Sequence, residues 1–152
     1  MERTLVILKP AALQRELVGE ILSRFERKGL HFAGIKMMQL DDALLSEHYA
    51  HLKDKPFFGD VKSAMSISPV IVICLEGVEA VKVVRFMAGV TNGRNAEAGT
   101  IRGDYSMSVE QNVIHASDSI ETAELEIKRF FKEEELFDPK RVGRSFYYAK
   151  YE

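Results

Sequence analysis

One histidine of this sequence stands in a setting that suits catalysis. The segment Asn112-Val113-Ile114-His115-Ala116-Ser117-Asp118 predicts a short apolar strand that ends on His115. A helix is predicted to begin immediately afterwards, with Asp118 as its N-cap and Glu121 closing a capping box. Because backbone on both sides orients the ring while the strand end leaves it accessible, the pattern favours a nucleophile or an acid–base catalyst. A packing or surface histidine is the alternative.

Three cations are placed where a small anion can bind. Lys9 directly follows the first predicted strand, Arg85 lies in the last turns of a helix, and Arg102 lies in a glycine-rich loop. Guanidinium and ammonium groups both suit phosphate oxygens, and Tyr49 and Thr91 offer hydroxyl donors. For each arginine taken singly, the pattern favours a solvated surface charge. Lys9 is the exception, because a lysine directly after a buried central strand is poorly placed to be merely solvated. The sequence contains neither the Gly-x-x-x-x-Gly-Lys-Ser/Thr motif nor the Gly-x-Gly-x-x-Gly motif, whose backbone binds phosphates. Any nucleotide phosphates must therefore be held by side chains.

Aromatic residues and two further histidines complete the candidate groups. Lys55-Pro56-Phe57-Phe58-Gly59 places adjacent phenylalanines at a helix start. Neighbours on a helix point about 100° apart, so one ring can enter the core while the other stays exposed and stacks on a base. Taken alone, this pair favours burial of both rings. His48 and His51 are spaced three apart beside Glu47, which is a weak metal signal, and the pattern favours a solvated helix face.

Length and composition predict one globular domain over residues 1–152. The 152 residues are 46% hydrophobic and 29% charged, with a net charge of −2. This balance argues against broad nucleic-acid binding, which needs a basic excess. The one cysteine, Cys74, lies in an apolar strand pattern, so we expect a core residue and neither a disulfide nor a cysteine-based metal site. Without a leader pattern or a membrane-length apolar run, we expect a cytoplasmic protein.

The elements that must position these residues follow a β-α-β-(α)-β-α-β order. Strands are predicted at 4–8, 31–40, 69–75 and 113–114, helices at 17–28, 41–51, 56–65, 78–87 and 118–131, and a glycine-rich loop at 89–104. This order predicts a ferredoxin-like α+β fold, with a four-stranded antiparallel sheet and helices on one face. Residues 133–152 are polar and aromatic, and predict a C-terminal arm that packs on this or another subunit.

The sequence resembles the nucleoside diphosphate kinases over essentially its whole length. Residues 112–118 are similar to the family's Asn-x-x-His-Gly/Ala-Ser-Asp signature. Further matches occur in the family's order: Lys9-Pro10, His48-Tyr49, Pro56-Phe57-Phe58, Thr91-Asn92 and Gly99-Thr100-Ile101-Arg102-Gly103-Asp104. The sequence departs from the family at Ala11-Ala12, where many members have Asp-Gly. It also departs at Gly93 and Ala98, where prolines often occur in a loop that commonly lies at a subunit interface.

The resemblance implies a phosphohistidine mechanism. His115 would accept the γ-phosphoryl group at Nδ1, Glu126 would orient its imidazole, and Ser117 would support the site. Lys9 and Asn112 would bind the sugar 3′-hydroxyl, and Lys9 would also reach the transferring phosphate. A neutral imidazole, with an ordinary pKa of about 6.5, is a competent nucleophile near pH 7.

The resemblance also implies how the nucleotide is bound. The phosphates, bridged by Mg²⁺, would be held by Tyr49, Arg85, Thr91 and Arg102. The base would be sandwiched by Phe57 and Val109 without its edges being read, which fits a family that accepts purine and pyrimidine nucleotides alike. No metal ligand from the protein itself is expected, since Mg²⁺ would be held through the phosphates.

The implied activity is ping-pong transfer of the γ-phosphate from a nucleoside triphosphate, mainly ATP, to a nucleoside diphosphate. The resemblance further implies a homo-oligomer, with a hexamer favoured over a tetramer, and neither a membrane nor a nucleic-acid partner. Two alternatives remain open at this point. One is a ferredoxin-like regulator that binds nucleotides at Lys9, Arg85 and Arg102 without turnover. The other is an interaction protein that keeps only the fold, against which the intact set of site residues argues.

Overall fold

A four-stranded antiparallel sheet forms the centre of the computed structural model, which describes residues 1–138 and 142–152. The strands are β1 (Glu2–Leu8), β2 (His31–Met38), β3 (Val70–Gly77) and β4 (Ile114–Ala116). Their order across the sheet is β2-β3-β1-β4, and every neighbouring pair is antiparallel. The predicted ferredoxin-like α+β arrangement is therefore confirmed, with β1 and β3 at the centre of the sheet.

Seven α-helices surround the sheet in the described ranges. They are α1 (Pro10–Gln14), α2 (Val18–Lys28), α3 (Asp42–His48), α4 (Phe58–Ser66), α5 (Ala80–Ala88), α6 (Ile101–Tyr105) and α7 (Ile120–Phe130). Short 3-10 turns occur at Ala50–Leu52, Gly93–Asn95, Glu133–Glu135 and Arg144–Phe146. None of the helices in residues 1–138 and 142–152 has the length and apolar character needed to cross a membrane.

Helices cover both faces of the sheet, so the prediction of helices on one face is wrong. Along β1, Val6 and Leu8 belong to one core cluster, whereas Leu5 and Ile7 belong to another. The first cluster includes residues of α2 and α5, and the second includes residues of α3, α4 and α7. All of β3 is buried as well. An unbroken apolar strand, rather than an alternating one, is typical of burial on both faces.

The predicted loop at 89–104 contains α6, which corrects the sequence-based interpretation. The Thr100 side chain caps this helix by accepting a hydrogen bond from Gly103 N at 3.0 Å. Asp104 accepts from Gly99 N at 2.8 Å and from Arg24 Nη2 at 2.6 Å, which ties α6 to α2. A helix of this length shows little periodicity in sequence, and its side-chain and tertiary contacts stabilise it.

The start of α7 also differs from the prediction. Ser119, not Asp118, is the N-cap, and its side chain accepts from Thr122 N at 3.0 Å. Asp118 is exposed and the predicted capping box with Glu121 does not form. Ser, Asp and Asn are similarly good N-caps, so neighbouring candidates cannot be separated by residue type alone.

His115 lies in the middle of β4, and not at the end of the strand as predicted. Val113 does not pair as a strand residue, because it adopts a φ of 61°. Its turn is closed by a hydrogen bond from Ile114 N to Asn112 O at 2.8 Å. Strand pairing therefore begins one residue later, and His115 pairs with Ile7 of β1.

The C-terminal segment packs on its own chain, along the edge strand β2 and beyond. Phe137 N donates to Ala33 O at 2.8 Å, the Tyr147 ring lies 6.0 Å from the His31 ring, and Val78 N donates to the Tyr148 hydroxyl at 3.4 Å. These contacts agree with the predicted arm for the residues that are described. Residues 139–141 of the predicted arm lie outside the described residues.

Candidate active site

A histidine, a glutamate and a serine form the centre of the site. His115 Nε2 lies 3.0 Å from both carboxylate oxygens of Glu126. Ser117 Oγ donates to Glu126 Oε2 at 2.6 Å and accepts from Leu5 N at 3.2 Å. An ionised carboxylate can only accept, so the proton of the neutral imidazole lies on Nε2. His115 Nδ1 is then left with a free lone pair, and it has no hydrogen-bond partner among the described residues.

Local sequence explains why these three side chains meet. Pairing of β4 with β1 places His115 opposite Ile7. Helix α7 buries the apolar residues Ala123, Ile127 and Phe130, and Glu126 lies on the same inward face. Burial alone raises the pKa of Glu126, but the hydrogen bonds from His115 and Ser117 outweigh it and bring the pKa below its usual value. The buried carboxylate is therefore ionised and able to hold the imidazole.

His48 is buried against this centre, so the predicted solvated face is wrong for it. Only 5% of His48 is exposed, and its ring centroid lies 4.8 Å from that of His115 and 4.7 Å from that of Tyr49. Arg129 Nη1 lies 3.1 Å from His48 Nδ1. Burial and the neighbouring His115 lower the pKa of His48 to about 3. His51, three residues on, is exposed as predicted.

Sequence reasoning missed His48 and Arg129 as members of the site. One signal in the sequence indicated that His48 is buried. It lies three residues after Leu45, so the two residues share one face of α3, and Leu45 is buried. Arg129 carries no comparable signal, because its contact depends on the packing of α3 against α7.

Potential metal ligands come together at one place among residues 1–138 and 142–152. The group consists of His48, His115 and Glu126. One ligand atom from each lies within 4.8 Å of the others. Two imidazoles suit Zn²⁺ better than Mg²⁺, which prefers oxygen ligands. However, Arg129 occupies the lone pair at His48 Nδ1 and Glu126 occupies Nε2–H of His115. The group is therefore a hydrogen-bonded network rather than an open metal site.

A cleft of about 200 Å³ adjoins this network at Tyr49, whose ring contacts that of His48, and His115 itself does not line the cleft. Its lining includes the predicted residues Lys9, Tyr49, Thr91, Val109 and Asn112. Lys9 Nζ donates to Asn112 Oδ1 at 2.7 Å, and Asn112 Nδ2 donates to Thr91 O at 3.0 Å. Burial and the charge of Arg102 lower the pKa of Lys9 to about 8, while burial raises the pKa of Tyr49 to about 12. At pH 7 the cleft thus offers a cation and a phenol hydroxyl.

Arg102 faces inward, where it holds three backbone carbonyls. Its guanidinium donates to Ile114 O at 2.7 Å, to Gly89 O at 2.8 Å and to Asn112 O at 3.4 Å. It is 6% exposed, and burial together with the charge of Arg85 lowers its pKa to about 10. Arg102 therefore braces the segment from Asn112 to Ile114 that precedes His115.

Arg85 and Phe57 lie at more open positions. Arg85 is exposed and donates to Ala116 O, next to His115 in β4, at 3.3 Å. It lines a larger cavity of about 790 Å³ that does not include His115. Phe57 is 40% exposed at the start of α4 while Phe58 packs against the core, so burial of both rings, which the pair alone favours, is wrong.

Comparisons with known proteins identify the family of this chain. The sequence model of the family described as "Nucleoside diphosphate kinase" matches residues 2–136. The nucleoside diphosphate kinase of Parabacteroides distasonis is 68% identical over 138 residues, which cover 91% of this chain and 90% of the relative. That of Pyrococcus abyssi is 50% identical over 149 residues, which cover 96% and 94%.

Two solved structures share the fold along almost the whole chain. The structure of a halophilic nucleoside diphosphate kinase from Halobacterium salinarum in complex with CDP has a TM-score of 0.95 at 42% identity, covering 97% of this chain and 99% of that one. A nucleoside diphosphate kinase family protein from Babesia bovis has a TM-score of 0.94 at 40% identity, with coverage of 97% and 100%. With a family match along residues 2–136 and relatives this similar, the chain belongs to the nucleoside diphosphate kinase family.

Proposed function

We propose that this protein transfers the γ-phosphoryl group of a nucleoside triphosphate, mainly ATP, to a nucleoside diphosphate, with His115 carrying the group between two half-reactions. The observation that carries this proposal is the contact of His115 Nε2 with both oxygens of Glu126, 3.0 Å each, which leaves Nδ1 as the free nucleophile. Family membership supplies the reaction class. A covalent intermediate divides the transfer into two steps that one site can perform in turn.

The two half-reactions are mirror images. In the first, the Nδ1 lone pair of His115 attacks the γ-phosphorus, and the bond from that phosphorus to the β–γ bridging oxygen breaks. The electron pair leaves with the nucleoside diphosphate. In the second, a terminal β-phosphate oxygen of the acceptor attacks the phosphorus, and the P–N electron pair returns to Nδ1. Throughout, the Nε2 proton stays on the imidazole, where Glu126 stabilises the charge that develops.

We propose that the polar residues of the cleft hold the nucleotide together with Arg85 and Arg102, which do not line the cleft. Lys9 and Asn112 are assigned to the sugar 3′-hydroxyl, and Lys9 also to the transferring phosphate; their mutual contact of 2.7 Å supports a shared ligand. The phosphates are assigned to Tyr49, Arg85, Thr91 and Arg102. For Arg102, three of five N–H donors hold backbone carbonyls, so two remain for a phosphate.

The base is assigned to the exposed apolar surfaces of Phe57 and Val109, which are 40% and 46% exposed. Stacking tolerates any base, because every base has a π-face. A relative from Halobacterium salinarum was solved with CDP, which supports binding of a pyrimidine nucleotide. One site must accept donor and acceptor nucleotides that carry different bases. Stacking on the base faces allows this, because it involves no contact with the base edges.

Mg²⁺ is the proposed cofactor, held through the nucleotide phosphates. Within the described ranges, the grouped ligand atoms come from two histidines and one glutamate, which do not suit this ion. When bound to the phosphates, Mg²⁺ neutralises part of the charge that develops on them. The residues of this chain then position the phosphates and supply the nucleophile.

We also propose a homo-oligomer, with a hexamer favoured over a tetramer, acting in the cytoplasm. Exposed apolar side chains on two parts of the surface support assembly: Ile35 and Met37 on the edge strand β2, and Phe86, Val90 and Ile120 around the larger cavity. Exposed apolar side chains grouped in this way are typical of protein–protein contacts. Light scattering at working concentration tests this, and a monomer mass would contradict it.

The experiment that tests the function is nucleotide exchange beside labelling. With ATP and GDP, the wild type is expected to form GTP. With γ-labelled ATP and Mg²⁺, it is expected to form an acid-labile, base-stable phosphoprotein that His115→Ala does not form. Nucleotide binding without GTP formation at any substrate concentration would instead favour a regulator.

A further inference from the structure

His48 is a buried histidine that the proposed phosphoryl transfer does not use. It is 5% exposed, at the end of α3. Its ring lies nearly perpendicular to that of His115, with centroids 4.8 Å apart and an interplanar angle of 81°. It also contacts the ring of Phe130 at 5.1 Å. Edge-to-face ring pairs at this separation are favourable and orient both partners.

Arg129 fixes the orientation and the protonation of the His48 ring. A guanidinium can only donate, so the 3.1 Å contact makes His48 Nδ1 the acceptor and puts the proton of the neutral ring on Nε2. Arg129 is held in turn by Glu47, whose Oε1 accepts from Nε at 3.1 Å. Because burial lowers the pKa of His48 to about 3, the ring stays neutral at working pH.

The orientation of His115 matters because its two ring nitrogens are not equivalent. Rotation about the Cβ–Cγ bond alone exchanges Nδ1 with Cδ2 and Nε2 with Cε1, so Nε2 reaches the position of Nδ1 only when the side chain also turns about the Cα–Cβ bond. The Cβ–Cγ torsion has broad and roughly two-fold preferences and the Cα–Cβ torsion has three staggered wells, so the side chain itself does not select one ring orientation. Glu126 holds the ring at one point, Nε2. A neighbour packed on the ring restricts the remaining rotation.

We infer that His48 is a positioning residue for His115: held by Arg129 and packed on the His115 ring, it keeps Nδ1 rather than Nε2 directed at the phosphoryl group. This inference rests on the proposed function, in which His115 carries that group. His48 acts through the ring contact and forms no bond to the phosphorus. Arg129 contributes indirectly, because it holds the His48 ring in place.

The test is the position of the phosphoryl group on His115, read by phosphorus NMR of the phosphoenzyme formed with ATP and Mg²⁺. The wild type is expected to carry phosphate on Nδ1 alone. His48→Ala is expected to carry a measurable fraction on Nε2, with kcat about tenfold lower, which corresponds to ~1.4 kcal/mol. The dissociation constant for ADP is expected to change less than kcat, since the residues assigned to the nucleotide remain and only the ring contact of Tyr49 with His48 is lost.

Three further variants separate positioning from a general loss of structure. His48→Phe keeps a ring against His115 but cannot accept from Arg129, so it is expected to restore most of the phosphorylation at Nδ1 and to resemble Arg129→Met. Arg129→Met, at a partly exposed position, frees the His48 ring and is expected to give a smaller fraction on Nε2. His51→Ala, on the neighbouring exposed turn, is the matched control and is expected to behave as the wild type.

Phosphorylation of His48→Ala at Nδ1 alone, with an unchanged kcat, would overturn the inference. If His48→Ala does not fold, Arg129→Met decides the question by the same two readouts. A wild type that forms no phosphohistidine would overturn the proposed function instead, so the two failures are distinguishable.

Discussion

Glu126 holds Nε2 of His115 with both carboxylate oxygens at 3.0 Å, and this contact decides which nitrogen of the imidazole keeps a free lone pair. Ser117 fixes the carboxylate from the other side, with its Oγ 2.6 Å from Oε2. Because Ser117 also accepts from Leu5 N, the central strand β1 anchors the whole arrangement. The nucleophile is therefore oriented by a rigid part of the fold rather than by a loop.

Removing the charge of Glu126 is expected to slow phosphorylation. Glu126→Gln keeps the shape of the side chain, but its amide no longer stabilises the imidazolium that develops during transfer. We expect the rate of phosphohistidine formation from ATP to fall on the order of 10²-fold. Rapid-quench measurement with labelled ATP checks this. Glu124→Gln, at an exposed position on the same helix, is the control and should leave the rate unchanged.

Nucleotide affinity is expected to weaken above pH 8. The pKa of Lys9 is lowered to about 8 by burial and by Arg102, so the ammonium loses its proton between pH 7 and pH 9. The charged form attracts phosphate, so deprotonation raises the dissociation constant for ADP, by about tenfold between these two pH values. Tyr49 and Arg102, with pKa values of about 12 and about 10, keep their protons over most of this range.

Calorimetric titration of ADP at several pH values measures this effect. Binding at pH 8 to 9 is expected to take up protons, because the bound anion restores the ammonium form of Lys9. In Lys9→Met the affinity should be weaker and should show no such dependence on pH. The same pH dependence in Lys9→Met would assign it to another group.

The elements of this fold could be predicted from sequence where an apolar pattern determines them. β1, β3 and α2 follow directly from their periodicity and from Pro10 and Gly29 at their ends. The start of α7 could not be predicted, because it depends on which side chain acts as the N-cap. Helix α6 could not be predicted either, because the Thr100 cap and the contact of Arg24 with Asp104 stabilise it. One-sided coverage of the sheet was also wrongly predicted, although the unbroken apolar run of β1 indicates burial on both faces.

Within the site, the residues matched to family motifs were found in sequence, and the structure brings Lys9, Tyr49, Thr91, Val109 and Asn112 to one cleft. Burial of His48 was not found. Its spacing from His51 suggested a pair on one exposed helix face. In the structure α3 ends at His48, which is buried, and His51 lies in the exposed 3-10 turn that follows. The contact between Arg129 and His48 joins residues 81 positions apart, so it depends on tertiary packing alone.

The positive φ of Val113 predicts an inverted order of stability among its variants. Val113 is fully buried at a φ of 61°, and the turn is closed by the bond from Ile114 N to Asn112 O. Positive φ is strained for a side chain with a β-branch, and still costs energy for alanine. Elsewhere, glycine is less stable than alanine by roughly 0.5–1 kcal/mol. Here Val113→Gly is expected to be at least as stable as Val113→Ala.

Urea unfolding of the two variants measures this order at a fixed protein concentration. Val84, fully buried in helix α5, provides the comparison. At that position the alanine variant is expected to be the more stable one. The same order at both positions would contradict strain at Val113.

Replacing Thr4 by valine is expected to stabilise the protein. Thr4 is fully buried in β1, and its Oγ1 has no hydrogen-bond partner in residues 1–138 and 142–152. A buried hydroxyl without a partner costs roughly 1–3 kcal/mol, and valine has the same shape without it. We therefore expect Thr4→Val to raise the free energy of unfolding by about 1 kcal/mol. For a chain of this size, that corresponds to a Tm higher by roughly 2–4 °C.

Thr100→Val is the matched control, because the Thr100 hydroxyl accepts from Gly103 N at 3.0 Å and donates to Glu97 O at 2.6 Å. Loss of this helix cap is expected to lower the free energy of unfolding by about 1 kcal/mol. Calorimetric Tm values at one protein concentration compare the two variants, and a lower Tm for Thr4→Val would show that its hydroxyl has a stabilising partner after all.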